Sequence, residues 1–270
     1  RLAPNGRLSC HGVDIARLRR GDGPLRPSVA LLPNDLKDSQ PVNALLMHLQ
    51  GWLDRHLKHH LAVLFDQGNE ASLAPAVRGL LFRLREGMGS LSAGSCADQL
   101  ASLTPEDRAF LAKQALRFGC EWIYANNLLT PKALRLRALL WATWTDGPAP
   151  AITARPRASQ PLDASPVPVE AWPLLGHVAC GPRALRQDRY ERLAALLRRM
   201  SKAGDFAPDA ECAALAGCEG SELARVLQAM GCKSVEADDG PARFRLKPGG
   251  QRKAAKKAGG SNRGKPRQKT

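Results

Sequence analysis

The chain opens on short apolar pieces and then changes period. Leu8, Val13, Ile15 and Leu18 are interrupted by Gly6, Gly12 and Gly21. Short apolar runs bounded by glycine predict a small hairpin or platform over Gly6–Leu32. Ser28–Leu32 offers a third short strand. From Asn34 or Asp35 the apolar residues recur at helical spacing. Leu45, Leu46, Leu49, Trp52, Leu53, Leu57, Leu61, Leu64 and Phe65 form one broad stripe, which predicts a helix over Val42–Phe65. Val77, Leu80, Leu81, Leu84 and Met88 predict a second over Pro75–Leu91. Its Gly79, Gly87 and Gly89 cost helix stability and predict close packing there. Thr104-Pro105-Glu106-Asp107 is a helix start: Thr caps, Pro suits the first helical position, and the acids favour the positive end of the dipole. That helix is expected to end near Gly119. Thr130-Pro131 repeats the signal and opens Lys132–Trp144. A bundle of about four helices follows.

Seven prolines fall between Pro148 and Pro173, with Ala and Ser among them, which reads as an extended linker. The cleanest amphipathic pattern of the chain comes next, Cys180–Met200. Leu185, Tyr190, Leu193, Leu196, Leu197 and Met200 fall on one stripe, and Arg183, Arg186, Arg189, Arg192, Arg198 and Arg199 crowd the other positions. A helix is expected over Leu185–Met200, and two shorter ones at Pro208–Leu215, ended by Gly217, and at Ser221–Met230, ended by Gly231. Lys233–Lys247 reads as a hairpin around Asp238-Asp239-Gly240. Three helices and a hairpin outline a winged helix. The expected fold is mainly α: a small β element (1–33), a helical bundle (34–146), a proline-rich linker (147–171), a winged-helix-like domain (172–247) and a disordered basic tail (248–270).

Charge changes this picture most at the end. The net charge is +15, and the last twenty residues hold eight cations and no acid, which leaves +7 for the rest. Such a tail favours nucleic acid as partner through salt-dependent phosphate contacts, although it can also serve only to solubilise. Its cations are Arg252, Lys253, Lys256, Lys257, Arg263, Lys265, Arg267 and Lys269. Arg183, Arg186, Arg189, Arg198, Arg199 and Arg225 complete the candidate nucleic-acid-binding set. The last helix of the winged unit turns Ser221, Glu222, Arg225 and Gln228 outward, a poor major-groove reader, so packing against protein stays open as its role. Seven cysteines at irregular spacing, with no CxxC pair, predict reduced thiols in a cytoplasmic setting. No run is long and apolar enough to span a membrane. The start at Arg1, in mid-pattern and with no signal peptide, reads as an internal or C-terminal piece of a longer chain.

Other chemistry is weaker. Gly259–Lys265 fits the first seven positions of a phosphate loop, but Pro266 stands where Ser or Thr must hold Mg²⁺, and no strand–helix context surrounds it. His56 and His60, one turn apart, could reach one metal, with Cys10-His11 as the other ligand pair; a basic helix face explains the same residues, and no metal site is assigned. Cys180 beside Arg183 and Arg186 reads either as an activated thiol or as a buried one. The tryptophans Trp52, Trp122, Trp141 and Trp144 fit core positions, and Tyr124 and Trp144 are the candidates for base stacking. No catalytic residue is assigned.

Four stretches then carry a likeness. They are ARLRRGDGPLRPSVALL (16–32), LKHHLAVL (57–64), RFGCEWIYANNLLTPKALRLRALLW (117–141) and, after the proline linker, CGPRALRQDRYERLAALLRR (180–199). In this order they resemble the C-terminal region of an alphaproteobacterial superfamily-two helicase family related to the mitochondrial degradosome RNA helicase. The likeness covers about Gly6–Lys247. It implies an ATP-driven motor upstream of Arg1, using ATP and Mg²⁺ to unwind RNA or DNA. The motor's Walker A, DExH box and arginine finger have no match here, so no catalytic residue carries over and no cofactor is expected in this chain. The implied role is accessory: docking on the motor in the same polypeptide and contacting RNA or DNA, with no membrane. A protein-interaction scaffold without direct nucleic-acid binding is the alternative. A centre built on Cys or His would make the chain an enzyme in its own right.

Overall fold

The structure, a computed structural model, describes residues 1–32, 39–65, 70–147, 159–162, 167–235 and 242–246. Among these the fold is mainly α, with eight α-helices and four small antiparallel sheets.

Strands β1 (Arg7–Cys10), β2 (Val13–Gly23) and β3 (Arg26–Leu31) form the expected N-terminal platform in the order β1-β2-β3. His11 and Gly12 join β1 to β2, both with positive φ (47° and 84°), as a tight two-residue turn requires. Ala16 and Leu18 point into the core while Arg17 and Arg19 alternate away from them. Helix α1 (Gln40–His60) lies against β3 and buries Leu49, Leu53 and Leu57. It stops short of the predicted Phe65; a 3-10 turn over Ala62–Leu64 carries Val63 and Leu64 into the core instead.

Helix α2 (Pro75–Glu86) buries Val77, Leu80, Leu81 and Leu84. It ends before the predicted Leu91 because Met88 and Gly89 take positive φ and turn the chain into β4 (Ser90–Ser92). Gly79, expected at a close contact, has nothing within 4 Å of where a Cβ would stand. After α3 (Ala97–Ala101), α4 (Pro105–Lys113) opens on a capping box in which Thr104 and Asp107 satisfy each other's backbone N–H. It does not run to Gly119. Ala115 (φ 64°) reverses the chain into β5 (Leu116–Phe118), and β6 (Trp122–Ala125) returns. The sheet β4-β6-β5 therefore interrupts what reads as an all-helical bundle. Helix α5 (Pro131–Thr145) starts at the Thr130 cap, ends on Asp146 in a left-handed conformation, and packs on β2.

The segment 147–171, expected as a linker, supplies β7 (Ser159–Pro161), which pairs with β9 (Arg183–Arg186) in the order β7-β9-β8, where β8 is His177–Cys180. Pro161 fits because β7 is an edge strand, where a missing N–H breaks no ladder. Val167, Ala171 and Trp172 close a small core with Ala138 of α5. The predicted helix beginning at Leu185 is two elements. Arg183–Arg186 is strand β9, and helix α6 begins at Gln187 and runs to Lys202. The Gly181-Pro182 turn, with Gly181 at φ 56°, folds β9 back on β8 before the helix starts. Helices α7 (Ala210–Ala216) and α8 (Gly220–Ala229) follow, then the hairpin β10 (Cys232–Val235) and β11 (Arg243–Leu246). Tyr190, Leu193, Leu196 and Leu197 of α6 share one core with Cys212, Leu215, Val226, Leu227 and Phe244. The turn signal Asp238-Asp239-Gly240 and the basic tail lie outside the described residues.

Candidate nucleic-acid interface

The arginines singled out around α6 are mostly held by carboxylates of the chain itself. Arg183 donates from Nε to Ser159 Oγ (2.6 Å) and from Nη1 to Glu222 Oε1 (3.0 Å). Arg186 makes a two-pronged pair with Asp188, at 2.6 and 2.8 Å. Arg198 reaches Glu121 Oε1 at 3.4 Å, and Arg199 reaches Glu211 Oε2 at 3.5 Å. Arg189 is half-buried and Arg225 exposed, with no ion pair among the described residues. Arg183 and Arg186 stand on β9, Arg189, Arg198 and Arg199 on α6, and Arg225 on α8. Arg252, Lys253, Lys256, Lys257, Arg263, Lys265, Arg267 and Lys269 lie outside the described residues.

The inner side of α6 does something the basic pattern concealed. Glu191 is buried and its carboxylate accepts from three successive backbone N–H groups, those of Cys120, Glu121 (3.0 Å) and Trp122 (2.7 Å). Tyr190 donates its hydroxyl to Glu121. A Cβ at Gly119 would collide with the Glu191 carboxyl, so the turn approaches this closely only because residue 119 has none. Burial pushes the Glu191 carboxyl up to about 7, against the pull of the N–H donors. This side of α6 is therefore a brace between the two halves of the chain.

A second arginine group gathers on the N-terminal platform. A cleft of about 720 Å³ lies between the β1–β2 edge and the end of α5. Arg7, Arg17, Arg19 and Arg20 line it, with Asn5, Thr143 and Asp146. Arg7 stands directly opposite Arg17 across the sheet. Like charges in such a pair repel, and an anion between them relieves that cost. Arg7 also pairs with Asp14 at 3.0 Å, in the exposed part of the sheet. The β2–β3 register shifts between Arg19 and Gly23, and Arg19 and Arg20 are both exposed and both line the cleft. The Arg20 guanidinium stacks 4.1 Å from the ring centre of the half-buried Trp144. No described carboxylate pairs with Arg19 or Arg20. Planar guanidinium forks in this density suit phosphate oxygens.

The sequence marks only that Arg17 and Arg19 flank the inward Leu18; nothing in it brings Arg7 and Arg20 to the same place. Tyr124, the other stacking candidate, is buried at 7% exposure and offers no platform. Among the described residues no group of three or more His, Cys, Asp or Glu gathers as a metal site. His56 and His60 lie edge to face, 4.6 Å apart, and His56 stacks on Trp52. Burial, then Lys132, holds both imidazoles below their ordinary value. Cys180, Cys212 and Cys232 are buried in one core and Cys96 in another, and burial pushes Cys212 and Cys232 up to about 11, away from thiolate chemistry. No helix of the described residues is long and apolar enough to cross a membrane.

No protein-family model, no curated protein and no solved structure matches this chain.

Proposed function

We propose that this chain is a non-catalytic accessory region of an ATP-dependent helicase. It supplies sequence-independent contacts to the backbone of RNA or DNA and docks on a motor in the same polypeptide, which would bring ATP and Mg²⁺. The supporting observation is the arginine cleft, where Arg19 and Arg20, neither with a described carboxylate on it, stand near Arg17 and near Arg7, which Asp14 holds. Contacts of this kind hold phosphate and do not read bases. The tail cations add to the same salt-dependent attraction. In this reading the unit formed by α6, α7, α8 and the β10–β11 hairpin is a winged helix used for packing. Its α8 carries Glu222 bonded to Arg183, which disfavours entry into a DNA groove.

The test is a fluorescence-anisotropy titration of the full chain with a labelled single strand of about 20 nucleotides. Binding weakens with salt, and Arg19→Ala with Arg20→Ala lowers the slope of log affinity against log salt by about 1.4. An unchanged slope in that variant removes the cleft from the reading. Loss of all binding on deletion of Gln251–Thr270 alone transfers the contacts to the tail.

A second reading, a protein-interaction scaffold, has its own observation. A groove of about 430 Å³ between α7, α8 and β11 has Leu223, Ala224 and Phe244 on its walls and Asp209 and Glu219 on its lining. An acid-lined apolar groove suits a basic protein segment and repels nucleic acid.

A further inference from the structure

Arg20 is the cleft residue that sheet and helix fix together. The β2–β3 ladder is interrupted after Arg19. Gly21 then presses on the Arg26 carbonyl of β3, where a Cβ would collide with it. The Ser28 hydroxyl donates to the Arg20 carbonyl at 3.1 Å. The backbone at Arg20 is thus pinned to β3. Its side chain crosses to α5, where the guanidinium carbon lies 4.1 Å from the centre of the Trp144 ring. At that distance the guanidinium covers the face of the indole. Trp144 is half-buried, so the ring is held from behind. Arg20 itself is exposed, lines the cleft and has no described carboxylate on it. One face of the guanidinium therefore rests on the indole, and the other is open to the cleft. No other arginine of the cleft has an aromatic ring beneath it among the described residues. The cleft also has Leu18, Leu32 and Leu139 on its walls, and its volume of about 720 Å³ has room for a base as well as a phosphate.

We propose, resting on the phosphate-binding role of the cleft, that the Arg20–Trp144 stack is a platform for one unpaired base of the bound strand, which makes the cleft selective for single strands over duplex. A guanidinium is planar and weakly hydrated, and it stacks on π faces. Bases splayed from a single strand stack on such planes as they do on aromatic rings. The contact tolerates any base, because every base has a π face. A base inside a duplex has both faces and its pairing edge occupied, and it reaches the platform only by being extruded. Trp144 acts from beneath: it holds the guanidinium flat. The neighbouring Arg17 and Arg19 line the same cleft and take the phosphates on either side of that base.

Arg20→Lys is the test, because a lysine keeps the charge and its attraction to the indole and loses the plane. Anisotropy titrations of the full chain compare probes of equal length: a labelled single strand, the same sugar–phosphate strand without bases, and a duplex. Arg20→Lys binds the single strand about tenfold more weakly than the unaltered chain does. It binds the abasic strand and the duplex within about twofold of the unaltered chain, and its salt slope on the single strand does not change. No loss on the single strand, or an equal loss on all the probes, overturns the stack and leaves the phosphate contacts standing. An unaltered chain that binds none of the probes removes those contacts and the stack with them.

Discussion

The α6 region and the β2 edge are both rich in arginine, and they put it to opposite uses. Around α6, the guanidinium groups of Arg183, Arg186, Arg198 and Arg199 find carboxylates at 2.6–3.5 Å. Along β2, Arg19 and Arg20 find none among the described residues, and one of them leans on an indole ring. The difference teaches that a count of cations along a helix measures composition. The field offered to a polyanion depends on which cations the fold leaves uncompensated.

That contrast can be broken or sharpened by substitution. The largest effect is on stability. Glu191→Ala leaves three backbone N–H groups without their acceptor and costs about 3–5 kcal/mol in urea unfolding, while affinity for a single strand measured below the transition stays within twofold. Next is charge reversal in the cleft. Arg19→Glu with Arg20→Glu weakens single-strand binding about 100-fold at moderate salt and moves stability by less than about 0.5 kcal/mol. The paired arginines behave in reverse: Arg186→Ala with Arg198→Ala lowers stability by about 1–2 kcal/mol and leaves binding nearly unchanged. Binding that falls in this variant as far as in the cleft variant would erase the contrast.

A pH series gives a smaller, signed effect. The Glu191 carboxyl titrates near 7 in the fold and near its ordinary 4.5 when unfolded, so the fold holds the proton more tightly. Its contribution to stability is full below pH 4.5 and is lost as pH rises through 7. The unaltered protein therefore loses urea resistance relative to Glu191→Gln between pH 5 and 7.5; parallel curves would contradict the assignment. The smallest effect belongs to Arg199→Ala. Its pair with Glu211 is exposed on both sides, and removal shifts the midpoint by less than about 0.5 kcal/mol.

Much of the fold is legible wherever one residue type has one job. Thr104-Pro105 and Thr130-Pro131 open α4 and α5 as their chemistry requires, and Gly217 and Gly231 mark the ends of α7 and α8. Strands β4 and β5 are illegible because three residues are too few to display a period of two inside a helical neighbourhood. Strand β9 hides for another reason: Leu185 satisfies both the strand alternation and the stripe of α6, and β9 runs straight into α6 at Gln187, the Gly181-Pro182 turn lying on its other side. The ion pairs escape sequence reading because partners such as Glu121 and Arg198 are 77 positions apart. The cleft escapes it because neither the pairing of Arg7 with Arg17 across the sheet nor the stacking of Arg20 on the distant Trp144 leaves a mark in the spacing of residues.

Gly119 and Glu191 lie far apart in the chain, yet inheritance must treat them as one position. Any side chain at 119 enters the volume of the Glu191 carboxyl. A lineage can replace the glycine only after shortening the glutamate, and shortening the glutamate first strands three amides. Either order costs stability on the way, so the pair should drift together or stay fixed.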